Sequence, residues 1–128
     1  MLKFLYVGIG GAIGALLRYC ISGSIHKLLS GGFPWGTLSV NLLGSLIMGF
    51  LWGLFEVVIV SENIRLLFFI GILGSFTTFS TFSLENFNLL KNGKYGFFTL
   101  NITASLLFGI GLIFVGYFIS RYVFSVLK

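Results

Sequence analysis

The chain has 128 residues, of which 57% are hydrophobic and only 9% charged. A soluble domain needs roughly 25% charged residues to keep its surface in water, so this composition excludes an ordinary soluble fold and describes a membrane protein. The formal charge is +5, but the eight Lys and Arg are scattered among long apolar runs, which argues against a nucleic-acid surface and for charge at lipid headgroups.

A bilayer core about 30 Å thick takes about 20 apolar residues per helical span. This length therefore allows one domain, residues 1–128, of four transmembrane helices with short connections. The first span is expected over residues 4–25. Lys3 before an apolar run with Gly14-Ala15 has the look of a signal peptide, but the run continues past Arg18 and three more spans follow, so it reads as a retained helix. Cys20, the sole cysteine, can form no intramolecular disulfide and reads as a packing residue. His26-Lys27 and Ser30-Gly31-Gly32 close the span. Pro34 suits the first turn of the next helix, and Trp35 suits a headgroup anchor. The second span is expected over residues 36–60, the third over 64–90 and the fourth over 95–120 or a little beyond, with Lys91-Asn92-Gly93-Lys94 as a loop.

Connections this short force neighbouring spans to run antiparallel and put both termini on one side. Lys3, Arg65, Arg121 and Lys128 then face Arg18, Lys27, Lys91 and Lys94 across the bilayer, four against four. The positive-inside rule gives no orientation from such a balance. Either the counts are too small to carry a bias, or copies insert both ways and pair antiparallel. Small residues recur at Gly8, Gly10, Gly11 and Gly14, at Gly44, Gly49 and Gly53, and at Gly109, Gly111 and Gly116. In lipid such positions mark faces where helices approach closely, so a compact bundle is expected. Gly8-Ile9-Gly10 is no nucleotide loop, because no strand precedes it and no Gly-Lys-Ser/Thr follows.

An unpaired polar group in hydrocarbon costs several kcal/mol, so polar residues within the spans are where function is sought. Asn41 is one, two turns into the second span, and reads equally as interhelical glue or as a ligand contact. Asn101 and Ser105 lie four apart on the fourth span and share a face; such a strip either lines a pathway or bonds to a neighbouring helix. Residues 71–83 are the strongest signal, with six hydroxyls and two glycines in the middle of an apolar segment. Gly has poor helix propensity, and Ser and Thr compete for backbone carbonyls, so a break in the third helix is expected there. The alternative is a continuous helix with self-satisfied hydroxyls. Phe79 and Phe82, three apart, project from one face of a helix, and their positive ring edges suit weak contact with an anion. With 16 Phe in the chain, a pair at this spacing is more often lipid-facing or core.

The run Gly10-Gly11-Ala12-Ile13-Gly14-Ala15-Leu16-Leu17-Arg18-Tyr19, the segment Pro34-Trp35-Gly36-Thr37-Leu38 with Val40-Asn41, and residues 74–83 together resemble the Fluc (CrcB) family of fluoride channels over nearly the whole chain. The resemblance implies an all-α antiparallel, dual-topology homodimer of four-helix subunits, with two narrow pores near the interface. It places Asn41 and nearby hydroxyls as donors to fluoride, and Phe79 and Phe82 as ring edges from the facing subunit. It assigns the carbonyls of Gly74 and Thr77, from both subunits, to one structural Na⁺ on the two-fold axis. Ser80 and Thr81 match positions near the pore, Arg18 and Glu85 its vestibule, and Ser105 a polar rail on the fourth span. The sequence departs from that rail at Gly109, which lacks a hydroxyl, and at Asn101, which replaces a hydroxyl-bearing side chain. The implied activity is passive export of cytoplasmic fluoride across the cell inner or plasma membrane.

Two other classes compete with this one. A small proton-coupled multidrug exporter shares the four spans and the dimer but needs a membrane-embedded carboxylate, for which Glu85 is the one candidate. A structural or assembly protein gives no reason for six hydroxyls in one segment. An enzyme is not expected, since the chain has one His, no Asp and no set of metal ligands.

Overall fold

The computed structural model describes residues 1–29 and 31–126, and these form helices and short connections. Ser30 and Lys128, used above for a turn and a charge count, lie outside the described residues. Helix α1 spans Leu2–Leu28 and α2 spans Trp35–Val57. The third crossing is composite: α3 (Glu62–Arg65), a π-helical segment (Leu66–Leu73), α4 (Gly74–Phe76), two extended residues and α5 (Phe79–Lys91). Helix α6 spans Tyr95–Val126. These make four helical crossings long and apolar enough for a membrane, so the chain is a multi-pass membrane protein. Thirty-two residues of α6 rise about 48 Å, more than a hydrocarbon core, so its ends reach the headgroups.

The crossings alternate in direction, as the short connections require. Lys3 at the start of α1 pairs with Glu62 at the start of the third crossing at 2.6 Å. At the same end, Glu56 near the end of α2 accepts from the Tyr117 hydroxyl of α6 at 3.0 Å. Opposite these, Lys94 Nζ lies beside Gly32, so the first and third connections share the other end.

Helix boundaries differ from the expected ones for local reasons. Helix α1 carries on through His26 and Lys27, whose charge suits a helix C-terminus. Pro34 sits just ahead of α2 rather than in its first turn, and its carbonyl accepts from Leu38 N–H at 3.1 Å. Helix α2 stops at Val57, short of Val60, because Val58 is extended. Arg65 then donates to the Phe55 carbonyl and sits 5.6 Å over the Phe55 ring, satisfying an acceptor the helix end leaves open. The third crossing starts early because Ser61 caps it, accepting from Ile64 N–H at 3.4 Å.

Glycines hold the bundle at backbone distance. A Cβ on Gly49 would stand 2.0 Å from Ile113 O, and one on Gly116 would stand 2.2 Å from Leu46 O, which locks α2 to α6. A Cβ on Gly14 would meet Ile72 O at 2.1 Å, and Gly10 faces Gly71, which locks α1 to the π-helical segment. Gly8 and Gly111 border open space, with nothing among the described residues within 4 Å of a Cβ placed there. Cys20, expected in packing, is exposed. Near the connections Phe33 is buried with Leu38 and Ala104, edge-on to Phe97.

Candidate binding site at the helix break

The third crossing does break where its hydroxyls cluster. Thr77 (ψ 158°) and Thr78 (φ −149°, ψ 124°) are extended between α4 and α5. The Thr77 N–H and hydroxyl both donate to Leu73 O, at 3.0 and 2.9 Å, finishing the upper half-helix. Thr78 caps the lower half: its Oγ1 accepts from Thr81 N–H at 3.3 Å, donates to Thr81 Oγ1 at 3.1 Å and lies 3.4 Å from Ser80 Oγ.

Asn41 of α2 fills the gap between the halves. Its Oδ1 accepts from Thr78 N–H at 2.8 Å and its Nδ2 donates to Thr78 O at 3.1 Å. One side-chain amide thus pairs with both backbone groups of one residue as a neighbouring strand would, and keeps a second N–H to spend elsewhere. In a continuous helix Thr78 N–H would serve the Gly74 carbonyl, and Thr81 N–H the Thr77 carbonyl. Both donors are diverted, to Asn41 and to the Thr78 hydroxyl. The break therefore frees the carbonyls of Gly74 and Thr77 from their helical donors, as it does those of Ser75 and Phe76 between them. Gly44 allows this approach, since a Cβ there would stand 2.2 Å from the Thr77 methyl.

Two crevices meet at Thr78. The inner one, about 330 Å³, is lined by Asn41, Ser45, Thr77, Thr78, Phe79, Phe82 and Ser105, with Met48 and Ile113. The Phe79 and Phe82 rings stand 5.8 Å apart, tilted by 37°. The outer one, about 500 Å³, is lined by Arg18, Ser22, His26, Thr37, Thr78, Thr81 and Glu85. There the Thr37 hydroxyl donates to Glu85 Oε1 at 2.6 Å, while Glu85 Oε2 has no partner among the described residues.

Of the expected residues, Asn41, Phe79, Phe82 and Ser105 come together in the inner crevice, and Arg18, Thr81 and Glu85 in the outer one. Ser80 is exposed at the start of α5 and lines neither. Among the lining residues not expected from the sequence are Thr37, Ser45 and Thr78. The signal for the first two was available, because Thr37, Asn41 and Ser45 recur every four residues and so form one polar stripe on α2. Ser45 Oγ lies 3.8 Å from where a Cβ on Gly109 would stand, so a hydroxyl from α2 fronts the place where α6 lacks one.

Four membrane-crossing helices with a hydroxyl-lined crevice at a mid-span break define a membrane pathway protein, since irregular backbone at that depth is tolerated only inside protein or beside a watery cavity. The chain belongs to the CrcB-like family: the family model described as CrcB-like protein, Camphor Resistance (CrcB), matches residues 5–117. It is 46% identical over 121 residues to a fluoride-specific ion channel FluC of Magnetococcus marinus, covering 94% of this chain and 98% of the relative. It is 38% identical to one of Parabacteroides distasonis over 128 residues, the full length of both. A third relative, fluoride-specific ion channel FluC 1 of Methanosarcina acetivorans, is 46% identical over 117 residues, covering 91% of this chain and 88% of its own.

Proposed function

We propose that this chain is a fluoride-selective passive channel, acting as an antiparallel dimer that lets fluoride leave the cell. The observation that carries the reading is the inner crevice, where amide, hydroxyl and ring-edge groups converge with no acid or base among them. Fluoride is small and strongly hydrated, so its path must replace lost water with several donors while holding the ion weakly enough to release it. The spare N–H of Asn41, the Ser45 and Ser105 hydroxyls and the edges of Phe79 and Phe82 are donors of that strength. A lysine here would hold the ion too tightly, and a carboxylate would repel it. The N-terminus of α5, opened at mid-membrane by the break, adds a favourable partial positive charge. Arg18 and His26 supply donors at the mouth of the outer crevice.

The dimer follows from what a lone subunit leaves bare. Phe79 is 79% exposed beside a polar crevice, and a polar crevice open to lipid is costly. A second copy, inverted, covers it and brings its own rings to the partner's hydroxyls. The Gly74 and Thr77 carbonyls suit a Na⁺ between the two copies, since hard cations take oxygen ligands and these two have lost their helical donors. When bound, that cation supplies positive charge that offsets the cost of an anion in a low dielectric.

The test is release of fluoride and of chloride, side by side, from liposomes holding the purified protein. Rapid fluoride release with chloride retained supports the reading; equal rates overturn the selectivity, and release of neither overturns the channel.

A further inference from the structure

Asn101 lies outside both crevices, although it shares a helix face with Ser105. It is 1% exposed, and its Nδ2 donates to Asn86 Oδ1 of α5 at 3.2 Å. Asn86, 6% exposed, donates in turn from Nδ2 to the Phe82 carbonyl one turn back at 2.8 Å. A chain of two amides therefore runs from α6 to the backbone of a residue whose ring lines the inner crevice. We propose that Asn86 and Asn101 form an interhelical clamp that positions the rings of Phe79 and Phe82, and that the polar rail of α6 begins at Ser105 rather than at Asn101.

The break explains why a clamp is needed. With residues 77 and 78 extended, α5 is no longer held in rotation by a continuous helix above it. Its packing contact is mainly α6, and apolar packing by itself is non-directional and tolerates slippage. A rotation of α5 by one residue, about 100°, swings the rings away from Asn41 and withdraws Asn86 from Asn101. A buried polar pair penalises that slip, because each amide left alone in hydrocarbon loses its partner. Phe79, Phe82 and Asn86 fall on one stripe of α5, at spacings of three and four, so fixing the last fixes the other two. The pair is poorly arranged for stability alone, since Asn101 Oδ1 has no partner among the described residues. Partly satisfied buried polar groups of this kind serve register better than stability.

Asn101→Leu, Asn86→Leu and the double variant form a cycle read in two ways. The first is fluoride flux per folded channel, which rests on the channel reading. The second is the rate at which a thiol reagent labels Phe82→Cys in a Cys20→Ser background, which does not. Each single change should lower flux roughly 3- to 30-fold and shift the labelling rate, with the double no worse than the worse single, because both delete one interaction. Multiplying effects, an effect of Asn101→Leu without one of Asn86→Leu, or an unchanged labelling rate would overturn the clamp. A wild-type protein that passes no fluoride removes the channel reading and leaves the labelling cycle to decide the clamp. Serine at the same two positions, too short to bridge the helices, repeats the cycle if a leucine variant does not fold.

Discussion

The pairing of α2 with α6 and the third crossing solve opposite problems in the same 30 Å of lipid. Along α2 and α6 the backbone is uninterrupted and self-satisfied, and glycines at 49, 53 and 116 bring carbonyls of the partner helix close to its Cα atoms. Along the third crossing the helix widens into a π-helical segment, breaks at residues 77 and 78 and restarts. The first arrangement leaves no backbone group to offer a ligand. The second leaves several, and relies on Asn41 and the Thr78 hydroxyl to satisfy the rest. The continuous pair is the wall, and the broken crossing is the chemistry held against it.

That contrast breaks most easily at the wall. Gly49→Val puts side-chain atoms where Ile113 O stands 2.0 Å from the new Cβ, so the helices must separate. The expected cost is roughly 3 kcal/mol or more, seen as aggregation or a collapsed melting temperature in detergent. A well-folded Gly49→Val protein would mean that α2 and α6 are not in backbone contact.

Changes at the broken crossing should damage function more than fold. Thr78→Val removes the α5 cap and frees Thr81 N–H, costing about 1 kcal/mol in thermal unfolding while slowing fluoride flux several-fold. Gly74→Val probes the break from its other side. Its Cβ would lie 3.4 Å from Phe69 O, an ordinary contact, so the subunit should fold with unchanged helix content by circular dichroism. What it should lose is the stabilisation by Na⁺ over K⁺ in a melting experiment. A Na⁺-specific shift that survives the substitution would place the cation elsewhere. The smallest effect belongs outside the comparison: Lys3→Ala deletes an exposed ion pair and should change stability by under about 0.5 kcal/mol.

Much of this contrast could be read in the residues. Four spans followed from length and apolar runs, and Gly10, Gly14, Gly49 and Gly116 behave as the small-residue rule predicts. The break was legible because two glycines of poor helix propensity and six hydroxyls that compete for backbone carbonyls fall in one apolar segment. Its mechanism was not. That Asn41 pairs with the backbone N–H and C=O of Thr78 depends on a contact between residues 37 positions apart, which no local pattern encodes. The π-helical segment was equally hidden, since the apolar run that forms it suits an ordinary α-helix. Asn101 shows the same limit. Its place beside Ser105 on one helix face suggested a shared pathway as readily as a bond to a neighbour, and the deciding fact is Asn86 on another helix. Gly8, Gly111 and Cys20 pack closely against nothing among the described residues, as expected if composition marks where contact is possible but not with what.

In the proposed channel the broken crossing presents its rings to the permeating ion. Fluoride efflux per channel from liposomes carrying Phe79→Ile or Phe82→Ile, beside the wild type, measures that role. Exchanging a ring edge for an aliphatic surface should slow efflux by roughly tenfold or more in each variant, with subunit fold and assembly retained. Efflux at the wild-type rate in both variants would contradict it.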